Sequence, residues 1–206
     1  MRIIAGTFRS RTLEAPAGLA TRPTSDRLRE TLFNVLAPRI QGASFLDLYA
    51  GSGAVGMEAL SRGARAVTFV ERAPAALSVL RANLAKLGIA TGFRIQPGSV
   101  GAYLRRQEAS QKPAREADRK PAPPTAFALV FLDPPYDAAQ EYAATLNLLG
   151  ASQAGLLAPG ALVIAEHRRK ERLEERYGCL ERTRLLEQGD ASLSFYAAGE
   201  TIAAES

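Results

Sequence analysis

Apolar positions recur along this chain in two rhythms. Over 24–37 they fall at helical spacing, with Leu28, Leu32, Val35 and Leu36 on one stripe. Thr24-Ser25-Asp26 offers capping oxygens ahead of that stripe, and Pro38 is expected to stop the helix. From Ser44 onward, short apolar runs alternate with helical stripes. Runs at 45–49, 66–70, 92–96, 127–132 and 161–166 predict strands, and stripes at 54–62, 74–87, 100–107 and 138–149 predict helices. Gly63 and Gly88 stand just past two of these helices, where a left-handed residue commonly ends one. Two last runs, 177–184 and 192–196, predict an antiparallel closing pair. Strands alternating with helices mean βαβ units. The expected fold is therefore α/β and Rossmann-like, with a mostly parallel seven-stranded sheet, an antiparallel final strand and a small N-terminal extension.

The rhythm fails twice. Residues 1–23 read as a turn-rich arm with short extended pieces. Residues 109–125 carry Pro113, Pro121, Pro123 and Pro124 among many charges, so about 107–126 is expected to be a flexible insertion. The expected organisation is an extension with its helix over 1–40, a main domain over 41–200 and a tail over 201–206.

Charge sharpens the picture at one end. The net charge is +5, and residues 1–42 hold seven arginines against three acids, so most of the excess lies in the first fifth of the chain. A polyanionic partner would explain that asymmetry. So would a composition bias, since 22 of the 26 basic residues are arginine. Composition excludes other classes. No apolar run approaches the roughly 20 residues that span a bilayer, and the first residues lack the apolar core of a secretion signal. One cysteine, Cys179, rules out an internal disulfide or a multi-thiolate metal site, and one histidine, His167, leaves little for an imidazole-based metal centre. A soluble, cytoplasmic, metal-free monomer is expected. His167 is expected in a solvated or hydrogen-bonded surface role, Cys179 as a small core residue, and 168–176 as a solvated helix face.

Two turns carry candidate chemistry. Asp47-Leu48-Tyr49-Ala50-Gly51-Ser52-Gly53-Ala54-Val55-Gly56 joins the first strand to its helix. Glycines there permit a sharp turn and close approach of a ligand to backbone N–H groups. Glu71 ends the next strand, 20 residues beyond Gly51, where a carboxylate can accept from a ribose diol. Gly51, Gly53 and Gly56 also satisfy the dinucleotide pattern, so a nicotinamide cofactor stays open. Asp47 argues against it, because a carboxylate repels a pyrophosphate and attracts an ammonium. S-adenosylmethionine carries an ammonium, a sulfonium and a ribose but no phosphate. Candidate cofactor contacts are Asp47, Tyr49, Ala50, Gly51, Ser52, Gly53, Gly56, Glu71 and Arg72.

The second turn, Asp133-Pro134-Pro135-Tyr136, closes the fourth strand. In an open parallel sheet this end should face the glycine turn. Two prolines fix the backbone and remove N–H donors, leaving carbonyls. Asp133 and the Pro134 carbonyl make an acceptor pair suited to an amino group, Pro135 stiffens it, and Tyr136 offers a face for a planar base.

These two turns resemble those of the amino-methyltransferases, which use S-adenosylmethionine to methylate exocyclic amines of bases. The N-terminal segment narrows the resemblance. Arg2-Ile3-Ile4-Ala5-Gly6, then Arg9-Ser10-Arg11, then Arg22-Pro23-Thr24-Ser25-Asp26-Arg27, resemble the signature of the RsmD family. Tyr49-Ala50-Gly51-Ser52-Gly53 is similar to that family's FAGSG turn, and Gly189-Asp190 with Leu193-Ser194-Phe195-Tyr196 to its last strand. The resemblance implies a class I methyltransferase acting on N2 of one guanine in 16S ribosomal RNA of the small subunit. It implies Asp133, Pro134, Pro135 and Tyr136 in catalysis, Asp133 also beside the cofactor, Ser99 and Val100 past the third strand at the adenine end, where many relatives place Asp or Asn, and Arg2, Arg9, Arg11, Arg22, Thr24 and Arg27 toward RNA. A DNA adenine-N6 or cytosine-N4 methyltransferase would share both turns, though the chain shows no separate target-recognition domain. A nicotinamide-dependent oxidoreductase and a non-catalytic RNA-binding module complete the alternatives.

Overall fold

A computed structural model describes residues 1–15, 25–110, 126–135, 139–151 and 155–199. The element order is α1 (Asp26–Ile40), β1 (Ser44–Leu48), α2 (Ala54–Ser61), β2 (Ala66–Glu71), α3 (Pro74–Leu87), β3 (Phe93–Pro97), α4 (Val100–Ser110), β4 (Phe127–Leu132), α5 (Ala139–Ala151), β5 (Leu157–Arg168), β6 (Arg176–Tyr177), β7 (Leu180–Gln188) and β8 (Ala191–Ala198). One sheet runs β3-β2-β1-β4-β5-β8-β7-β6. The first five strands are parallel, and β8 inserts antiparallel between β5 and β7.

Strand parity divides the core. Phe45, Phe69, Phe131, Ile164 and Phe195 point to the face covered by α1, α2 and α3. Leu46, Val130, Leu132, Val163 and Tyr196 point to the face covered by α4 and α5. Because the helices change face between β3 and β4, the chain crosses the sheet at the β1/β4 boundary. That is where doubly wound sheets open a crevice at the carboxyl ends of their strands.

Several expectations change. The sheet has eight strands rather than seven, because the short β6 pairs with β7 beside the expected closing hairpin. Pro38 lies inside α1, which runs on to Ile40. Burial of Leu36 and Ile40 in the core holds that last turn despite the missing N–H. α4 reaches Ser110, so 107–110 is helix; the rest of the expected insertion, 111–125, lies outside the described residues. The alternating charges of 168–176 form no helix: the segment leaves β5, turns and enters β6. His167 is buried, not superficial, with Nε2 2.9 Å from Ser194 Oγ and Nδ1 2.9 Å from the Arg168 carbonyl. Cys179 is half-buried rather than a core residue.

The N-terminal arm is folded down. Ile3 N–H donates to Arg11 O and Leu13 N–H to Met1 O, making a tight hairpin whose Ile3 and Leu13 are core residues. Glu58, wholly buried on α2, accepts from Ile4 N–H at 2.7 Å and Ala5 N–H at 3.0 Å. Arg29, also wholly buried, joins the Arg2 carbonyl to Asp26 at 2.9 Å and lies 3.8 Å from Glu58. Among the described residues no helix is long and apolar enough to cross a membrane.

Candidate active site

The glycine turn begins where β1 leaves the sheet. Tyr49 takes a left-handed φ of +63°, unusual for an aromatic residue. Its hydroxyl donates to Glu141 Oε2 at 2.9 Å and lies 2.7 Å from Thr145 Oγ1, so the side chain ties the turn to α5. Burial pushes that hydroxyl's pKa upward. Gly53, at φ +80°, is the residue before α2, where a side chain would meet Met57 Cε at 2.8 Å. A Cβ on Gly56 would meet the Phe69 ring at 2.2 Å, so this glycine lets α2 lie against β2.

Two carboxylates take backbone N–H donors of the turn and of the first turn of α2. Gly56 N–H, in the first turn of α2, donates to Asp47 Oδ2 at 2.9 Å. Gly51 N–H donates to Glu71 Oε2 at 2.8 Å, and Glu71 Oε1 accepts from Arg72 N–H and Ala73 N–H, both at 2.8 Å. Ala50 N–H donates to Val70 O, and Gly53 N–H to Ala50 O. Asp47 is buried, and desolvation raises its pKa to about 7, against the Gly56 hydrogen bond that lowers it and with help from the Glu71 charge.

The second turn lies alongside. β1 and β4 pair in register with Leu48 opposite Leu132, so Asp133 follows at the level of Tyr49. Asp133 is half-buried and Pro134 buried. Desolvation raises the Asp133 pKa well above the ordinary carboxylate range, and the charges of Glu166 and Asp47 raise it further. The two turns expected to face one another therefore stand at neighbouring strand ends.

Parity then reveals an arrangement that the chain's linear pattern does not announce. Asp47, Glu71, Asp133 and Glu166 share the strand-face parity of Phe45, Phe69, Phe131 and Ile164. They form a row across the carboxyl ends of β2, β1, β4 and β5. The row does not converge: among the described residues no three acids, histidines or cysteines are grouped as a metal would need. Glu166 is the member that sequence reasoning misses, and its signal is an acid at the end of a strand, as with Glu71.

The other candidates scatter. Ser99 Oγ accepts from Ala102 N–H at 3.3 Å, capping the start of α4, and the side chain of Val100 is packed into the second core. Ser52 joins the turn to the arm, its carbonyl accepting from Asn83 Nδ2 at 3.1 Å, while Asn83 also binds Glu14 of the arm. Arg2, Arg9, Arg11 and Arg27 are all exposed on the arm and α1, with Arg2 Nε 3.5 Å from Asp26. Arg22, Thr24 and Tyr136 lie outside the described residues.

Known proteins match this arrangement along most of its length. The family described as conserved hypothetical protein 95 matches residues 1–197. YlbH of Bacillus subtilis, named as a putative rRNA methyltransferase, is 36% identical over 196 residues, covering 95% of this chain and 98% of its own. The ribosomal RNA small subunit methyltransferase D of Escherichia coli K12 is 40% identical over 166 residues, covering 81% and 74%. The solved structure of yhhF from Escherichia coli superposes with a TM-score of 0.78 at 35% identity, covering 97% of this chain and 98% of its own.

Proposed function

The chain belongs to the conserved hypothetical protein 95 family, the RsmD family whose signature it carries, and from that premise we propose that it methylates the N2 amine of one guanine in 16S ribosomal RNA with S-adenosylmethionine. The substrate is that RNA within an assembling or assembled small subunit. The reading rests on relatives named for small-subunit RNA methylation and on one local observation: an acid-lined glycine turn one strand away from an Asp-Pro acceptor pair.

The site residues fit that cofactor. Asp47 and Glu71 take the Gly56 and Gly51 N–H groups and bring two carboxylates to the turn, which makes the place hostile to a pyrophosphate and favourable to cations. The same observation weighs against a nicotinamide cofactor. When bound, S-adenosylmethionine supplies a methyl group already activated on a sulfonium. Glu71 accepts from ribose hydroxyls, and the carboxylate of Asp47 holds positive charge.

Asp133 and the Pro134 carbonyl act on the substrate. The N2 lone pair of guanine is delocalised into the ring. Two acceptors that hold both amine hydrogens favour a pyramidal nitrogen whose lone pair projects over the glycine turn. Such alignment can be worth about 7–11 kcal/mol. As the methyl passes to nitrogen, the donor's C–S bond would break to leave a neutral thioether, and the positive charge arriving on the nitrogen is stabilised by the Asp133 carboxylate until one N2 hydrogen leaves as a proton to water, directly or by way of that carboxylate. The target base must leave its stack to reach the strand ends.

The test is Asp133→Ala with undermethylated small subunits and mass spectrometry of the RNA. S-adenosylmethionine should bind within about threefold of wild type while kcat falls at least about a hundredfold. Undiminished transfer would remove Asp133 from the mechanism. Methylation of DNA in preference to the subunit would favour the DNA amino-methyltransferase reading instead.

A further inference from the structure

Asp133 and Pro134 hold two amine hydrogens, and every base with an amino group offers them. Another contact must tell guanine from adenine and cytosine. The difference lies on the adjacent ring atom. Guanine N1 carries a hydrogen, whereas adenine N1 and cytosine N3 carry a lone pair. A site for guanine therefore needs a second acceptor beside the first, shielded from water that would satisfy either base.

β5 brings an acceptor to that place. Leu132 pairs with Ala165, so Glu166 stands at the level of Asp133 on the neighbouring strand and on the same face. Neighbouring strands lie about 4.8 Å apart, within the span of two carboxylate side chains reaching one base edge. Glu166 is buried, at 2% exposure, and its charge acts directly on Asp133. Its backbone is fixed on the other side, where the Tyr142 hydroxyl donates to the Glu166 carbonyl at 3.0 Å and Leu193 pairs with it across β8. His167 points to the opposite face, toward Ser194. Only one of these two adjacent polar side chains can thus serve the site.

Resting on the guanine-N2 reading, we infer that Glu166 determines base specificity: its carboxylate accepts the N1–H of the target guanine while Asp133 and the Pro134 carbonyl accept the N2 hydrogens. The same carboxylate repels the N1 lone pair of adenine and the N3 lone pair of cytosine. Specificity then comes from two acceptors on adjacent strand ends matched to two adjacent donors on one base.

2-Aminopurine separates the two contacts, because it keeps the amine at position 2 but has a lone pair at N1. Small subunits are reconstituted with guanine or 2-aminopurine at the methylated position, mapped beforehand by mass spectrometry. Single-turnover transfer is measured with the full-length protein and S-adenosylmethionine. Wild type should prefer guanine by at least about a hundredfold, the penalty for a missing donor in a site built to accept it. Glu166→Gln, whose amide can donate to N1, should cut that preference at least tenfold, with cofactor affinity within threefold of wild type. Equal rates on the two bases by wild type overturn the inference without any variant having to fold. An unchanged preference in Glu166→Gln overturns it as well. Absence of any N2-methylguanine from wild type is a distinct result, and it overturns the guanine-N2 reading together with this inference.

Discussion

Asp47 shows how one residue is set against stability for the sake of a charge. Its carboxylate is buried at 1% exposure, with its pKa raised from 3.8 to about 7 chiefly by desolvation. The folded chain therefore holds this proton more tightly than the unfolded one between those values. Stability is highest at low pH in that window and falls as pH rises through it, by up to about 4 kcal/mol above pH 7. Asp47→Asn keeps an oxygen for Gly56 N–H and removes the charge. It should melt higher than wild type at pH 8 and match it near pH 4. It should also bind S-adenosylmethionine at least about tenfold more weakly at pH 8, since a cation loses its counter-charge. Calorimetry at both pH values checks the two effects together. A variant that binds as tightly as wild type would sever Asp47 from the cofactor.

At the scale of elements, the arm, α1 and α2 are joined by ions that local pattern does not announce. Glu58 accepts two arm amides and pairs with Arg62 at 2.7 Å, while Arg29 reaches across to the arm's Arg2 carbonyl. Removing one member of a buried ion group costs about 3–5 kcal/mol, because its partners stay desolvated. Glu58→Gln should destabilise the chain by about 3 kcal/mol and strip hydrogen-exchange protection from Ile4 and Ala5 before the sheet opens. Unchanged protection at Ile4 would show that the arm is held by Ile3 and Leu13 burial alone. The contrast with α3 explains what a sequence can reveal. Pro74 at its start, Gly88 in left-handed geometry after its end and an apolar stripe between are local signals, and they mark the helix to the residue. The alternation of β1 to β5 with helices is likewise local, as are the two turns of the site. Such signals show the Asp26–Arg29 spacing on α1 but not that Glu58 and Arg29 hold the arm, because their arm partners lie 54 and 27 residues away. Glu166 escapes notice because its place depends on the register of β5 against β4. His167 is misplaced since the groups that enclose it, Ser194 on β8 and the Tyr142 ring on α5, come from other elements.

For the molecule as a whole, an acidic row stands apart from an outlying basic surface, and the proposed function divides labour between them. The row lies at the carboxyl ends of β2, β1, β4 and β5. Arg9, Arg11 and Arg27 lie on the arm and α1, outside the core, in a chain of net charge +5. An RNA held by phosphates at such arginines is positioned by them and gains no base identity from them. Arg2 is the weaker candidate, since Asp26 lies 3.5 Å from it. Replacing Arg9, Arg11 and Arg27 together by alanine should weaken binding to RNA of any sequence. The slope of log K against log salt should fall by about two to three, near 0.7–0.9 for each phosphate no longer neutralised. Cofactor affinity should stay unchanged, because none of the three belongs to the glycine turn. Methyl transfer at saturating RNA should also hold, since the proposed chemistry is set at Asp133 and Pro134. Filter binding of small-subunit RNA across a salt series, beside single-turnover transfer, measures both quantities on one preparation. A drop in kcat at saturation without a change of slope would move these arginines from phosphate holding into the ordering of the site itself.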